Sequence, residues 1–195
     1  MKIAIISDIH CNLAALDRAL AAVSDVDELF CAGDSVYGYR WSNDVVARLR
    51  ARGAHMVLGN HEADFLKIHR ERKGSNGHIT LENHRFMLDL GHEYEIDMGG
   101  RRILMVHASP FEPHHEYIYP HSPRFREFGK LEADLFLYGH THHAVAQQVN
   151  GVLVVNPGSA GESRDSSRQV LTYAVVDLAS MEAEIHEIDL TAPFD

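Results

Sequence analysis

At 195 residues, with 45% hydrophobic and 24% charged, the chain has the proportions of a folded domain that can bury a core without disulfides or a structural metal, which excludes disorder and fibrous repeats. Lys plus Arg total 18 against 28 Asp plus Glu, a formal charge of -10 that leaves no electrostatic footprint for gripping duplex nucleic acid and disfavours anionic membranes. The anomaly is 15 histidines, a side chain that ligates metals and moves protons near neutral pH.

In chain order, Lys2 to Ser7 is an isoleucine-rich apolar run ending at Asp8, and Leu13, Leu16, Leu20 and Val23 follow at helical spacing. The pattern recurs. Glu28 to Ala32 predicts a second strand ending in Gly33-Asp34, Asp44 to Arg52 a helix, and His55 to Leu58 a third strand ending in Gly59-Asn60. Alternating strands and helices predict a parallel sheet whose functional loops lie beyond the carboxyl ends of the strands. His61 to about Leu90 is helical in composition, with a break near Gly74-Ser75-Asn76-Gly77. After Gly91 the texture is mostly that of antiparallel strand. Glu93 to Asp97 and Arg101 to His107 flank Met98-Gly99-Gly100; Ala144 to Val149 and Val152 to Val155 flank the hairpin signal Asn150-Gly151; Gln169 to Asp177 and Glu182 to Ile188 form a further pair. A helix over Ser122 to Lys130 and a strand over Asp134 to Tyr138 interrupt them. The reading is an α/β fold of two sheets packed face to face and flanked by helices, in one domain over residues 1–195.

The N-terminus has no export-signal pattern, the C-terminus has no lipidation motif, and no window approaches the roughly 18 apolar residues of a membrane span, so a cytoplasmic location is expected. Cys11 and Cys31 are too few for a disulfide framework or a zinc ribbon, and any metal would take nitrogen and oxygen ligands.

Five short motifs fall at predicted strand ends: Asp8-Ile9-His10, Gly33-Asp34, Gly59-Asn60-His61, His107 and Gly139-His140-Thr141-His142. Singly each is weak. Together they offer Asp8, Asp34, Asn60, His10, His107, His140 and His142 as ligands and His61 as an adjacent proton donor, all on loops expected at one edge. Such a set exceeds one tetrahedral zinc and suits two five- or six-coordinate divalent ions sharing a bridging carboxylate. Asp34, at the middle of the three parallel strand ends, is the natural bridge. Imidazole, carboxylate and amide oxygen without thiolate favour Mn, Fe, Zn, Co or Ni over Ca or Mg. Two such ions could activate a water and clamp a phosphate ester during in-line attack.

In this order the motifs resemble the calcineurin-like metallophosphoesterase superfamily, and the short chain resembles its small bacterial and archaeal phosphodiesterase branch. Asn156-Pro157-Gly158-Ser159 is similar to a turn of the same branch. The resemblance covers nearly the whole chain. It implies a four-layer α/β/β/α sandwich, a two-metal site and hydrolysis of a small phosphate ester by metal-bridging water or hydroxide. It also implies that Asp8, His10 and His142 hold one metal, that Asn60, His107 and His140 hold the other, that Asp34 bridges, and that His61 stabilises developing charge and protonates the leaving oxygen. Cys11 after His10, and Ala108-Ser109 after His107, depart from the glycines usual there without removing a ligand.

Plainer readings stand beside these. His61 could merely orient a ligand, Asn60 could be a turn residue, and the two cysteines are more simply reduced buried thiols than redox-sensitive groups. The stretch Pro110 to Phe128, with Phe111, His114, His115, Tyr117, Tyr119, His121, Arg124 and Arg126, reads either as a substrate-shaping rim or as packing on the domain or a neighbouring subunit. Tyr37, Tyr39, Arg40 and Trp41 share that ambiguity, and Arg164 reads as a phosphate contact or a surface ion pair. His55, His69, His78, His84, His92, His143 and His186 read as structural. The functional expectation is a phosphodiesterase. Its alternatives are a phosphomonoesterase acting on a protein or nucleotide, and a non-catalytic metal-binding scaffold; a nuclease is disfavoured by charge, and a homo-oligomer is left open.

Overall fold

The computed structural model describes residues 1–69, 79–112, 115–164 and 170–191. The first half contributes β1 (Lys2–Ile6), α1 (Leu13–Ala22), β2 (Glu28–Cys31), α2 (Asn43–Ala51), β3 (His55–Met56), α3 (Asn60–His69) and α4 (Leu81–Leu88). The second contributes β4 (Glu93–Met98), β5 (Arg101–Val106), a 3₁₀ helix (Pro123–Lys130), β6 (Leu135–Leu137), β7 (Val145–Val149), β8 (Val152–Asn156), β9 (Thr172–Asp177) and β10 (Glu182–Glu187). Side chains cap the helices where polar residues precede apolar runs: Asn12 accepts from the Ala15 N–H, Ser42 from Val45 and Thr80 from Asn83. The expected break at 74–77 lies outside the described residues. Among the described residues no helix is long and apolar enough to cross a membrane.

Two mixed five-stranded sheets form, in the orders β10-β9-β1-β2-β3 and β4-β5-β6-β8-β7. Strands β1, β2 and β3 run parallel, as the alternation of strand and helix predicts, with only two residues of β3 in the ladder rather than the four expected. The second half departs further from its expected antiparallel character. Strands β5, β6 and β8 are mutually parallel, and β9 and β10 join the first sheet. The burial of β6 and β8 along their whole length marks them as central strands covered on both faces, whereas β4 and β10 have only exposed or half-buried positions and lie at edges. The Asn150-Gly151 hairpin forms as expected: both residues have positive φ (50° and 92°), and Val149 pairs with Val152.

Packing follows the two-residue period of the strands. Ile3, Ile5 and Phe30 meet Met105, Leu137 and Val155 between the sheets, while Ala4, Ile6 and Leu29 turn outward beneath α1 and α2. On the far side Phe136, Tyr138 and Val154 lie under Phe125 and Phe128 of the 3₁₀ helix. The helix expected over 122–130 is thus 3₁₀ rather than α, opening on Pro123 and drawn so close to the β7–β8 hairpin that a Cβ on Gly129 would sit 2.7 Å from the Val149 carbonyl. The layers are helix, sheet, sheet and helix, and all six parallel strands end at one edge.

Candidate metal centre

Five of these six strand ends supply one cluster and the sixth supports it. Asp8 and His10 follow β1, Asp34 follows β2, Asn60 and His61 lie just beyond β3, His107 follows β5, and His140 and His142 lie beyond β6. The turn after β8, Asn156 to Ser159, buttresses them: the Ser159 hydroxyl donates to the Asp8 carbonyl at 2.7 Å and the Asn156 amide to the Gly139 carbonyl at 2.7 Å. The two sheets are stitched here. The Gly139 N–H donates to the His107 carbonyl, the His140 N–H to Asp8 Oδ2 at 3.0 Å, and His107 Nδ1 to the Ala32 carbonyl at 2.7 Å.

The backbone beneath the cluster is strained. Asp8, His10, Asp34, His140 and His142 all have φ between 50° and 63°, each position costing of order 1–3 kcal/mol unless its surroundings hold it. Inter-loop bonds hold them, including Asp8 N–H to the Gly33 carbonyl and His10 N–H to the Asp34 carbonyl, both at 3.0 Å. Of the glycines beside the ligands, Gly59 is required for space rather than for φ: a Cβ there would lie 2.1 Å from Asp34 Oδ1.

The ring nitrogens are sorted by what their opposite faces do. His107 Nδ1 and His142 Nδ1 donate to backbone carbonyls, which turns each Nε2 into the cluster. His142 Nε2 lies 3.1 Å from His10 Nε2 and 3.2 Å from Asp8 Oδ1. His107 Nε2 lies 3.1 Å from Asp34 Oδ2, 3.1 Å from Asn60 Oδ1 and 3.2 Å from His140 Nδ1. Donor atoms about 2.1 Å from a shared ion would stand about 3.0 Å apart in an octahedron and about 3.4 Å apart in a tetrahedron. The spacings just given fall in that range, and His10 Nε2 stands farther from Asp8 Oδ1, at 3.9 Å, as across a wider angle of such a site. Asp8 Oδ1 is buried with no hydrogen-bond donor, as a ligand atom aimed at a cation should be. Asp8, His10 and His142 form one metal-capable group, Asp34, His107 and His140 a second, and Asp34 also groups with His10 and His61. The residues therefore fit divalent cations on both sides of Asp34.

Charge is distributed to match. Burial would raise the Asp34 carboxyl, but His107 beside it holds it below its ordinary value; Asp8 is lowered against burial by the adjacent His142 ring and the other imidazoles around it. Burial would lower His107, yet Asp34 and Asp8 push it up to about 10. His140 goes the other way, to about 4, through burial and the neighbouring His107. Burial raises both thiols; Cys31 is buried as expected, whereas Cys11 is only half-buried.

All seven expected ligand residues and His61 meet at this edge. The Gly38 N–H donates to His61 Nδ1 at 3.1 Å, leaving the ring proton on Nε2. Glu62 completes the motif Gly-Asn-His-Glu, and the sequence alone assigns it no role. Its buried carboxylate accepts from the Asp34, Val36 and Gly59 N–H groups and the Ser35 hydroxyl, all at 2.8–2.9 Å, clamping the second and third motif loops together. The ambiguous aromatics divide. Phe111 stacks on Phe128 and Trp41 on Phe65, as packing residues, whereas Tyr37 lies on the His10 ring and Tyr117 on the His140 ring. His143, expected to be structural, stands edge-on to Tyr119 at the rim. Arg164 lies over Tyr117 and donates to the His140 carbonyl. His78 and His114 fall outside the described residues.

Comparison with known proteins agrees with this architecture. Residues 1–181 match the model of the calcineurin-like phosphoesterase superfamily domain. The Methanocaldococcus jannaschii protein MJ0912 is 29% identical, covering 96% of this chain and 87% of the relative. The phosphodiesterase MJ0936 of the same organism is 24% identical over 81% of this chain and 83% of its own length. The crystal structure of a metallophosphoesterase from Sphaerobacter thermophilus superposes with a TM-score of 0.79 at 25% identity, covering 97% of this chain and 89% of that one. With the fold, the donor set and a family match over nearly its full length in agreement, the chain belongs to the calcineurin-like phosphoesterase superfamily.

Proposed function

We propose that the protein is a binuclear metal-dependent phosphoesterase that hydrolyses a small phosphodiester, and that residues 1–195 act as one domain. The observation that carries this reading is the pair of convergent donor sets, Asp8–His10–His142 and Asp34–His107–His140, linked by the grouping of Asp34 with His10. Asp8, His10 and His142 would hold one ion, Asn60, His107 and His140 the other, with Asp34 between. Mn, Fe, Zn, Co or Ni would suit these donors, and such ions supply Lewis acidity to the attacking water and to the phosphoryl oxygens.

The chain's own groups do the rest. The carbonyls of Ala32 and Glu162 fix the rings of His107 and His142, so their Nε2 lone pairs are preset toward the centre. His61, with Nδ1 occupied by the Gly38 N–H, offers Nε2–H as a hydrogen bond to charge developing on the phosphoryl group or leaving oxygen. Full protonation of the leaving oxygen by His61 would need a second ring proton on Nδ1 and loss of the Gly38 bond. Donation of the hydrogen bond is therefore the role we assign. Preference for a diester over a monoester rests on the likeness to a phosphodiesterase.

The test is metal-stripped protein reloaded with Mn, Ni, Co or Zn and assayed on bis(4-nitrophenyl) phosphate and 4-nitrophenyl phosphate. Reloading restores hydrolysis, faster on the diester. Asp34→Ala loses both metal and activity, whereas His61→Ala keeps its metal and loses about 10²–10³ in kcat. Faster monoester turnover would make it a phosphomonoesterase. Metal-loaded wild type inert on both esters would remove the catalytic reading in favour of a non-catalytic scaffold.

A further inference from the structure

Two aromatic stacks rise from the centre, one on each side, and they are built alike. On the first side the Tyr37 ring lies 4.6 Å from the His10 ring at 25°, and Tyr39 lies 5.1 Å from Tyr37 at 20°. The Arg40 guanidinium sits 5.0 Å from the Tyr37 ring and donates to the His10 carbonyl at 2.8 Å. On the second side the Tyr117 ring lies 4.0 Å from the His140 ring at 31°, and Tyr119 lies 6.3 Å from Tyr117 at 14°. The Arg164 guanidinium sits 5.4 Å from the Tyr117 ring and donates to the His140 carbonyl at 3.3 Å. Each stack thus consists of a proposed ligand histidine, a tyrosine on its ring, and an arginine tied to that histidine's backbone.

The exposed ring differs between the stacks. On the first side it is the outer one, Tyr39, 81% exposed, and on the second it is the inner one, Tyr117, 45% exposed, with Tyr119 half-buried beyond it; each leaves aromatic surface beside a site for an anion. Such surface is the platform on which nucleobases stack, and an arginine beside each ring adds positive charge where a -10 chain has little. The proposed mechanism assigns neither platform a role at the phosphorus, which leaves both for the groups esterified to it.

We propose that the substrate is a nucleoside-bearing phosphodiester with a flat ring on each side of the phosphorus, one seated against the Tyr37–Tyr39 stack and the other against Tyr117. This rests on the phosphoesterase reading and deepens it. A monoester would fill one platform at most.

The test compares thymidine 5′-(4-nitrophenyl phosphate) with methyl 4-nitrophenyl phosphate on the metal-loaded protein. The two share leaving group, charge and an alkyl ester on the other oxygen, and only the first carries a base. Wild type should favour the thymidine ester by about tenfold or more in kcat/KM, the worth of one stacked base. Tyr39→Ala or Tyr117→Ala should bring that ratio toward one, and the corresponding Phe substitution should keep it. Tyr39 is exposed enough that its replacement leaves folding intact. A wild-type ratio within about twofold of one, or a ratio that neither alanine changes, overturns this inference and leaves the phosphoesterase reading standing. Hydrolysis of neither ester overturns both.

Discussion

In the metal-free protein His107 should carry the proton that a metal ion displaces. Its Nδ1 donates to the Ala32 carbonyl, while its Nε2 faces two acceptors at 3.1 Å, Asp34 Oδ2 and Asn60 Oδ1. Two acceptors aimed at a bare lone pair would repel it, so without a cation Nε2 must hold a hydrogen, and the ring is an imidazolium. Its raised value, about 10 against an ordinary 6.5, says the same thing. At pH 8 an ordinary histidine is neutral, whereas a His107 at about 10 is about 99% protonated. Metal needs the deprotonated ring, so uptake on this side should release one proton from His107, and the apparent affinity should rise about tenfold per pH unit between about pH 7 and 9. Nitrogen-15 NMR of the histidine rings reads this directly. At pH 8 both His107 nitrogens should be protonated in the metal-free protein, and Zn should strip Nε2 alone. A His107 that is already neutral at pH 8, titrating near 6.5, would refute the argument.

Other predictions concern the frame around the site. Glu62→Gln puts an amide NH₂ where a carboxylate oxygen accepts from backbone N–H groups, so at least one donor pair clashes; the variant should lose about 2–4 kcal/mol in urea unfolding, and metal uptake with it, and a loss below about 0.5 kcal/mol would show that the clamp is dispensable. Gly161→Ala would bring a Cβ to 1.8 Å from the Ile9 carbonyl oxygen, which is backbone and cannot swing aside; the expected cost of about 3 kcal/mol or more should lower the melting temperature by about 6–12 °C, and an unchanged melting temperature would contradict the packing described between those loops.

The proposed site was legible because ligand-type residues follow apolar runs directly: the isoleucines of β1 are followed at once by Asp8 and His10, and the runs before Asp34, His107 and His140 end the same way. Sheet partnership was not legible. The run Leu135 to Leu137 reads as strand in any pairing, and nothing local tells it to lie parallel between β5 and β8. That the helix expected over Ser122 to Lys130 would be 3₁₀ was not legible for a similar reason, since the near contact of Gly129 with the β7–β8 hairpin is tertiary. Glu62 was in plain view, but its role is to accept from residues up to 28 positions away, and spacing alone does not reveal partners. The tyrosines were visible as candidates and undecided between rim and packing. Tyr37 on His10 and Tyr117 on His140 each depend on how separate loops cross, a property of the assembled edge.

The proposed ligands are divided between the sheets, with Asp8, His10, Asp34 and Asn60 on one and His107, His140 and His142 on the other. Metal ions bound between them would act as rivets through two plates whose alignment is set far below by Ile3, Ile5 and Phe30 against Met105, Leu137 and Val155. Cation affinity would then work as a gauge of how well those plates are seated. Trimming Met105 or Leu137, neither of which is a proposed ligand, should register first as weakened metal uptake, before any loss of fold.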